Sequence, residues 1–324
     1  MGFFNSGFNP VSDLSDLSGK VILVTGGSAG IGYSTVKHLA RHGAKVYMAA
    51  RSETRAKEAI EKLVAEGLGP GNGKVIFLQL DLADPRNAKK AAEELMCKEN
   101  RLDVLIHNAG MLIEKYSKSV DGIQDVMMVN VVSPFALTQS LLPLLKQSAV
   151  GPNADVRIVI VSSDGHNTVR GDPRFRNTED LNEECKDAYI PGFARYCRSK
   201  LANVLYAREL QRRLLSEGTN ITVLAVHPGT VKSAFTERPP YVRYKRILDI
   251  LVYPIFFSST DVGAHSSTFA AASERVRKER ERYQGAYLSA TCNIQKLSKV
   301  PMDDALAKEL YETVESVLTE KGVI

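Results

Sequence analysis

The chain has 324 residues, of which 44% are hydrophobic and 24% charged, so it has enough apolar material for a large folded core. Its net charge of +5 comes from 42 basic and 37 acidic residues that are interspersed, without a zinc finger or a basic-aromatic platform. This composition excludes an intrinsically disordered protein and argues against nucleic acid as a partner.

Apolar runs rich in Val, Ile and Leu alternate with helical patterns along the chain. The predicted strands lie in KVILVT (20–25), AKVYMAA (44–50), KVIFLQL (74–80), LDVLIHNAG (102–110), DVRIVIVSS (155–163), ITVLAVHPG (221–229) and GAYLSA (285–290). We therefore predict an α/β fold: one doubly wound, Rossmann-type domain over 19–324, after an N-terminal extension over 1–18. Its sheet is mostly parallel, with about seven strands and helices on both faces. The stretches 164–195 and 233–273 break the alternation and are predicted to be substrate-side loops and helices.

The first strand is followed by the turn TGGSAGIG, whose glycines have the spacing G-x-x-x-G-x-G. Glycine lets the backbone approach a pyrophosphate, whose charge lies at the N-terminus of the following helix. A plain glycine-rich turn is the alternative, but the order of strand, turn and helix favours a dinucleotide site.

The end of the second strand indicates which dinucleotide binds. It reads Ala49-Ala50-Arg51-Ser52, and the first carboxylate is Glu53. An NAD site presents an acidic residue to the ribose hydroxyl here, whereas a basic residue favours a 2′-phosphate. We therefore predict NADP(H), with Arg51 as the main contact and Arg55 as a weaker candidate. The alternative is that Arg51 is a surface residue at the start of a helix.

The pattern Y-x-x-x-K occurs three times, at Tyr33/Lys37, Tyr196/Lys200 and Tyr241/Lys245. The middle pair lies between the fifth and sixth strands and follows Ser163, which is at the C-terminal end of a strand, where open α/β sheets bind ligands. Tyr196 is therefore the catalytic candidate. A phenol has a pKa of about 10 and must fall by roughly 2–3 units to exchange a proton near neutrality. We expect the nearby Lys200 ammonium to supply that shift by favouring the tyrosinate, and an oxidised nicotinamide to add positive charge.

Taken in order, these motifs resemble the short-chain dehydrogenases/reductases, from Gly19 to about residue 230. The matching segments are TGGSAGIG, Asp81, HNAG (107–110), Asn130 in MMVNVV, Ser163 in IVSSDGH, YCRSK (196–200) and HPGTV (227–231). SSDGH and RSKLANVL are similar to the retinol dehydrogenase and WW-domain oxidoreductase branch. The chain departs from the family pattern at His107, where Asn is usual, and in the 33 positions (196 − 163) that separate the serine from the tyrosine.

The resemblance implies roles for individual residues. The catalytic group would be Asn130, Ser163, Tyr196 and Lys200. Ser163 would orient the substrate oxygen, and Lys200 would also hold the nicotinamide ribose. Asn130 would support a water chain, Thr230 would bind the carboxamide, and Asp81 and Asn108 would flank the adenine. The cofactor-binding set is Gly26, Ser28, Gly30, Ile31, Gly32, Arg51, Asp81, Leu82, Asn108, Ala109, Gly110, Tyr196, Lys200, Pro228, Gly229, Thr230, Val231 and Ser233.

We predict an NADP(H)-dependent enzyme that interconverts a carbonyl and an alcohol on a fairly large apolar substrate, with reduction as the favoured direction. An adaptable aromatic lining would come from Phe235, Pro239, Pro240, Tyr241, Tyr253, Phe256 and Phe257. Three alternatives stay open: a C=C reductase, an epimerase, or a non-catalytic NADP-binding scaffold. The family also implies a homodimer that pairs helices near 121–147 and 196–217, an expectation that stays open.

The sequence also predicts a location. The four cysteines form no C-x-x-C motif, and the N-terminus lacks the basic region and apolar core of a signal peptide. We therefore expect a cytoplasmic protein with reduced thiols. The apolar stretch ILDILVYPIFF (247–257) is too short to cross a bilayer, so we expect at most peripheral contact with a membrane.

Overall fold

The computed structural model describes residues 7–68, 73–231 and 259–324. Their centre is a seven-stranded sheet in the order β3-β2-β1-β4-β5-β6-β7, in which every neighbouring pair is parallel. The strands are β1 (Val21–Thr25), β2 (Lys45–Ala50), β3 (Lys74–Gln79), β4 (Val104–His107), β5 (Val156–Val161), β6 (Ile221–Val226) and β7 (Tyr287–Leu288). All seven predicted strands are present, and the predicted fold class is confirmed.

The helices connect successive strands and cover both faces of the sheet. In chain order they are α1 (Gly30–Arg41), α2 (Glu53–Glu66), α3 (Pro85–Lys98), α4 (Asp125–Met127), α5 (Ser133–Ser148), α6 (Thr178–Leu181), α7 (Pro191–Ser216), α8 (Thr260–Ala272), α9 (Glu274–Lys278), α10 (Arg280–Tyr283) and α11 (Asp304–Glu320). A π-helical segment (Met128–Val132) joins α4 to α5, and short 3₁₀ turns span Asp164–Thr168 and Val300–Met302.

The central strands divide the core into two layers. Val21 and Leu23 of β1 contribute to a cluster with residues of α3, α5, α7 and α11, whereas Ile22 and Val24 contribute to a cluster with residues of α1, α2 and α8. Alternate residues of a strand point to opposite faces, so a strand covered on both sides must be apolar throughout. This requirement explains the unbroken Val/Ile/Leu runs in the sequence.

The N-terminal residues that the structure describes pack onto the second layer. Phe8, Leu14 and Leu17 are buried there, and the ring of Phe8 meets the ring of Phe269 edge to face at 5.2 Å. The predicted boundary between an extension (1–18) and a domain (19–324) stays a prediction.

Two helix boundaries differ from the predicted ones. The helix expected near 121 begins at Asp125, because the preceding residues form a turn at Gly122 (φ +78°) and an antiparallel bridge between Lys118 and Gln124. The helix that carries Tyr196 begins earlier than expected, at Pro191, a residue type suited to a first helical turn. Tyr196 therefore lies more than one turn inside α7.

One helical run, Asp125–Ser148, is long and apolar enough to cross a membrane by length and composition alone. Most of it is buried in the first core layer, where Phe135, Leu137 and Leu141 are fully covered. A buried core helix accounts for its composition.

Candidate active site

The candidate site lies at the carboxyl edge of the sheet. The strand order reverses between β1 and β4, and such a switch point opens a crevice at the carboxyl ends of the strands. The glycine turn follows β1, Asn108 follows β4, Ser163 follows β5 and Pro228 follows β6. The predicted residues are therefore brought to one edge from four neighbouring strands.

The glycine turn fits a pyrophosphate. Gly30 has a φ of +57°, and a Cβ there would meet no atom of the described residues within 4 Å. A side chain at Gly32 would collide with the carbonyl oxygen of Gly26, so the turn tolerates no larger residue there. The first turn of α1 carries no acidic residue, and a helix N-terminus attracts anions. The turn is thus shaped and charged to hold the phosphates of a dinucleotide.

Asn108 supports this turn from the neighbouring strand. Its side-chain amide donates to the carbonyl oxygen of Thr25 at 2.9 Å, and its backbone N–H donates to Thr25 Oγ1 at 3.0 Å. The backbone N–H of Ala109 donates to the same hydroxyl at 3.0 Å. The family resemblance sets Asn108 beside the adenine; in the structure its amide group braces the glycine turn.

The residues predicted for the adenosine end follow β2 and β3. Arg51 is exposed directly after β2, and its carbonyl oxygen accepts from Gln79 Nε2 at 3.0 Å. Arg55, in the first turn of α2, lines a cleft of about 640 Å³ together with Ser28 and Gly30. Asp81, after β3, accepts from the backbone N–H of Ala83. Of the two predicted basic contacts, Arg55 thus lines the approach to the glycine turn, whereas Arg51 lies directly after β2.

Leu82, the residue after Asp81, connects the turn after β3 to α5. Leu82 is buried, and its carbonyl oxygen accepts from Ser133 Oγ, at the start of α5, at 2.8 Å. This bond ties the turn after β3 to α5.

The four predicted catalytic residues lie close together. Tyr196 is hydrogen-bonded to Ser163, and the Lys200 ammonium lies 5.5 Å from the centre of the Tyr196 ring. A Cβ at Gly110 would lie 3.3 Å from Lys200 Nζ and 3.5 Å from Asn130 Oδ1. Lys200 and Asn130 therefore both approach the same face of Gly110, where a larger residue would crowd them.

Asn130 is held by the π-helical segment. Its amide group donates to Met111 O at 3.0 Å and to Ser199 Oγ at 2.9 Å, and its Oδ1 accepts from the Met111 N–H at 2.8 Å. A π-helical turn widens the backbone and often occurs at functional sites. No residue pattern in the segment MVNVV predicts this irregularity.

The pKa of Tyr196 differs from the lowered value that was expected from the sequence. Burial raises the pKa of Tyr196 to about 12, and the hydrogen bond to Ser163 only partly opposes that rise. Burial also lowers the pKa of Lys200 to about 8, and its ammonium donates to the carbonyl oxygen of Val161 at 2.9 Å. In the part of the chain that the structure describes, burial therefore outweighs the contact that lowers the phenol pKa.

The turn after β6 supplies the remaining cofactor residues. Gly229 has a φ of +82°, and Thr230 is exposed beside it. Val231 is buried, and a Cβ at Gly263 of α8 would meet the side chains of Val231 and Ile31. This packing joins the turn after β6 to α1 and α8. Several predicted residues lie outside the described ones. They are Ser233, Lys245 and the candidates for the substrate lining, which are Phe235, Pro239, Pro240, Tyr241, Tyr253, Phe256 and Phe257.

Two arginines near Tyr196 in the sequence hold the loops that form the walls of the site. Their role was not predicted from the sequence. Arg195 donates to the backbone carbonyl oxygens of Glu184 and Glu114. Arg198 donates to those of Arg174 and Asp180. Both side chains are buried. The same helix carries Arg208, Arg212 and Arg213 as well, so its sequence does not single out these two arginines.

Comparison with known proteins agrees with this arrangement. The family profile described as short chain dehydrogenase matches residues 20–171. A short-chain dehydrogenase/reductase of Armillaria gallica is 40% identical over 314 residues, covering 95% of this chain and 96% of that protein. Retinol dehydrogenase 14 of Mus musculus is 39% identical over 306 residues, covering 92% of this chain and 86% of the mouse protein.

A solved structure gives a similar result. The RhlG/NADP active-site complex of Pseudomonas aeruginosa is 25% identical with a TM-score of 0.63, covering 87% of this chain and 97% of that chain. The chain thus belongs to the short-chain dehydrogenases/reductases, enzymes that use a nicotinamide cofactor to interconvert alcohol and carbonyl groups of small molecules. Within that family it belongs to the retinol dehydrogenase-like branch, as the resemblance predicted.

Proposed function

We propose that the protein is an NADP(H)-dependent carbonyl reductase for a fairly large apolar ketone or aldehyde. The observation that carries the proposal is the hydrogen-bonded pair Tyr196–Ser163, with Lys200 5.5 Å from the tyrosine ring. The pair stands at the carboxyl edge of the sheet, next to a glycine turn that fits a pyrophosphate.

Tyr196 and Ser163 have complementary tasks in this reaction. The bound nicotinamide supplies the hydride for the carbonyl carbon and, once oxidised, a positive charge. Ser163 donates to the carbonyl oxygen and orients it, while Tyr196 gives its phenolic proton to the oxygen as it becomes an alkoxide. A phenol pKa of about 12 suits this direction, because Tyr196 then holds its proton until the alkoxide forms.

Lys200 and Asn130 restore that proton. The pKa of Lys200, about 8, lies close enough to neutrality for its ammonium to pass a proton toward the phenolate. Asn130 also lies close to Gly110 and fixes the backbone of Met111 through two hydrogen bonds. This arrangement supports the water relay that the family resemblance implies.

The choice of NADP(H) over NAD(H) rests on Arg51 and Arg55. A guanidinium binds a phosphate through paired, charge-assisted hydrogen bonds, whereas the 2′-hydroxyl of NAD calls for a carboxylate. The related RhlG structure is a complex with NADP, which agrees with this choice.

The described wall of the site supports an apolar substrate. Phe193 is exposed and lies 6.2 Å from the Tyr196 ring, centre to centre, at 31°. Tyr189 is fully exposed, and Leu112 and Ile113 follow Met111 as partly exposed apolar residues. Apolar and aromatic linings with few polar groups are typical of sites for such ligands. Relatives named retinol dehydrogenases also suggest a large apolar molecule.

We also propose a cytoplasmic location. It is supported by the four cysteines, all of which are free. The stretch 247–257, proposed for peripheral membrane contact, lies outside the described residues. Fractionation of cells that express the tagged chain would place it in the supernatant, and recovery in the carbonate-resistant membrane pellet would contradict the proposal.

The test is a spectrophotometric assay of nicotinamide oxidation with NADPH and, in parallel, NADH. Retinal, steroid ketones, aromatic ketones and long-chain aldehydes serve as the panel, and the products are identified by mass spectrometry. We expect an alcohol product and faster turnover with NADPH. A saturated C=C bond or an inverted stereocentre in the product would instead support a C=C reductase or an epimerase.

The cofactor choice has its own variant. Arg51→Ala is expected to raise the KM for NADPH by about tenfold or more, because a charge-assisted contact is lost, with little effect on NADH. Arg55→Ala, at the weaker candidate, is expected to have a smaller effect. An equal loss with both cofactors would contradict the assignment of Arg51.

A further inference from the structure

Asp164, directly after the proposed catalytic serine, is held by groups from two other strands. Its Oδ2 lies 3.0 Å from His227 Nε2, and its Oδ1 accepts from the Tyr287 hydroxyl at 3.0 Å. Its backbone N–H faces His227 Nδ1 at 3.3 Å. We call this group the Asp164 clasp, made of Asp164, His227 and Tyr287.

The clasp joins three strand ends at the edge that carries the site. Asp164 follows β5, His227 is the first residue after β6, and Tyr287 begins β7. Two backbone bonds bring these ends together: the Ser162 N–H donates to Val226 O at 2.8 Å, and the His227 N–H donates to Leu288 O at 2.8 Å. The side-chain contacts of the clasp extend these backbone connections beyond the ends of β5 and β6.

The hydrogen bonds define the protonation of His227. Nδ1 accepts from the Asp164 backbone N–H, so it must be unprotonated, and the ring proton is on Nε2, where it faces the Asp164 carboxylate. The hydrogen bond from His227 lowers the pKa of Asp164, which is therefore charged at neutral pH. One residue thus binds both nitrogens of the imidazole.

A second contact links the clasp to the serine. His166 Nδ1 is bonded to the Ser163 carbonyl oxygen at 2.8 Å, and its ring meets the Tyr287 ring edge to face at 4.8 Å. Tyr287 therefore touches two residues of the turn that follows Ser163, Asp164 through its hydroxyl and His166 through its ring. His166 is buried and holds this turn through its bond to the Ser163 carbonyl oxygen.

We infer that the Asp164 clasp is a positioning device that holds Ser163 in register with the turn 227–231. In the proposed reaction this turn carries Thr230 toward the nicotinamide carboxamide, so the inference rests on the proposed function. A misplacement of about 1 Å at a reacting centre can reduce the rate by roughly 100-fold. The clasp sets the distance between the serine that orients the carbonyl and the turn that orients the cofactor.

The experiment compares Asp164→Ala and Tyr287→Phe with two matched controls. Asp180→Ala removes another carboxylate of the stretch 164–195, and Tyr283→Phe removes the hydroxyl of a buried tyrosine in the other core layer. For each protein we would measure kcat, KM, NADPH affinity by calorimetry, and hydrogen exchange over 162–168 and 227–231. Imidazole ¹⁵N shifts of His227, assigned with His227→Asn among the six histidines, report the tautomer.

In the parent protein we expect His227 to carry its proton on Nε2. Asp164→Ala is expected to lower kcat by about tenfold or more while NADPH affinity changes by less than about threefold. It should also change the His227 shifts and raise exchange in both turns. Tyr287→Phe should have the same effects on a smaller scale, and neither control should have them.

Two results would overturn the inference: unchanged exchange in both turns of Asp164→Ala, or raised exchange with an unchanged kcat. A parent protein without turnover on any carbonyl would instead contradict the proposed function. In that case the exchange and ¹⁵N data still decide whether the clasp holds the two turns together.

Discussion

Ser162 and Ser163 are neighbours in the sequence but make different contacts. Ser162 is buried, and its hydroxyl donates to the carbonyl oxygen of Lys200 at 2.8 Å. Ser163 is hydrogen-bonded to Tyr196, and its Oγ also accepts from the Gly165 N–H at 3.2 Å. One serine therefore joins a strand end to α7, and the other faces the proposed substrate.

This pair gives a matched test of the catalytic assignment. Both Ser162→Ala and Ser163→Ala should lower the free energy of unfolding by about 1 kcal/mol or more, because each removes side-chain hydrogen bonds. Only Ser163→Ala should lower kcat, by about 100-fold, since it alone removes a donor to the carbonyl oxygen. Denaturant unfolding and steady-state kinetics measure the two effects. Equal kinetic losses in both variants would contradict the assignment.

His107, at the end of β4, predicts a dependence of stability on pH. It is buried against Thr138, with Nε2 2.7 Å from Thr138 Oγ1, and burial lowers its pKa to about 3. The folded state therefore keeps this imidazole neutral, while the unfolded state protonates it below a pH of about 6.5. Its contribution to stability is complete above that pH and is lost as the pH falls toward the folded-state pKa.

His107→Asn, the residue usual in the family, should reduce this acid sensitivity. Between pH 7 and pH 5 the free energy of unfolding of the parent should fall by about 2 kcal/mol through His107 alone, and the variant should lack that part. Urea unfolding at the two pH values measures it. His38, whose pKa burial lowers to about 4, keeps its own contribution in both proteins. An unchanged difference between the two pH values would contradict the burial argument.

At the scale of elements, α7 holds the loops that form the walls of the site. It begins at Pro191, and most of its residues are buried between the sheet and α11. Arg195, near the N-terminus of α7, donates to backbone carbonyl oxygens of two loops. Arg208, near the middle of α7, donates to the carbonyl oxygen of Pro301 at 2.9 Å. The same helix thus holds the two loops on the substrate side through Arg195 and the segment near Pro301 through Arg208.

Arg195→Met should loosen the substrate side while α7 remains folded. We expect faster hydrogen exchange in 110–116 and 182–190, a higher KM for the apolar substrate and a loss of about 1–3 kcal/mol, because buried carbonyl oxygens lose their donor. Arg208→Met is the matched control and should affect only the segment near Pro301. Unchanged exchange in both loops would show that Arg195 does not hold them.

At the scale of the whole molecule, α11 covers the helices that the family resemblance assigns to a dimer. The Tyr311 ring lies 4.8 Å from the Phe135 ring of α5, and its hydroxyl accepts from Gln139 at 2.8 Å. The Arg213 guanidinium of α7 lies 3.8 Å from the centre of the same ring. A partner could reach this face of α5 and α7 only by displacing α11.

We therefore predict a monomer at micromolar concentration. Sedimentation velocity measures it directly, and the frictional ratio distinguishes a compact monomer from an extended one. A dimer in which hydrogen exchange of α11 slows with concentration would contradict the prediction. It would show that pairing occurs through or over this helix.

The sequence was sufficient for the parts that depend on local pattern. Seven strands, the glycine turn and Tyr196/Lys200 follow from hydrophobic runs and fixed spacings within short segments. The Asp164 clasp and the cover formed by α11 were not predictable in this way, because their partners are far apart in the chain: Asp164 and Tyr287 are 123 residues apart. The pKa of Tyr196 was missed because it depends on burial by the assembled fold.

The most direct test of the account is the turnover of Tyr196→Phe with NADPH and the best carbonyl of the panel, with NADPH affinity measured in the same samples. The account predicts a fall in kcat of about 100-fold to 10,000-fold, because the proton donor is gone, with NADPH affinity retained. Turnover equal to that of the parent protein would contradict it, since the proton would then have to come from a group other than Tyr196.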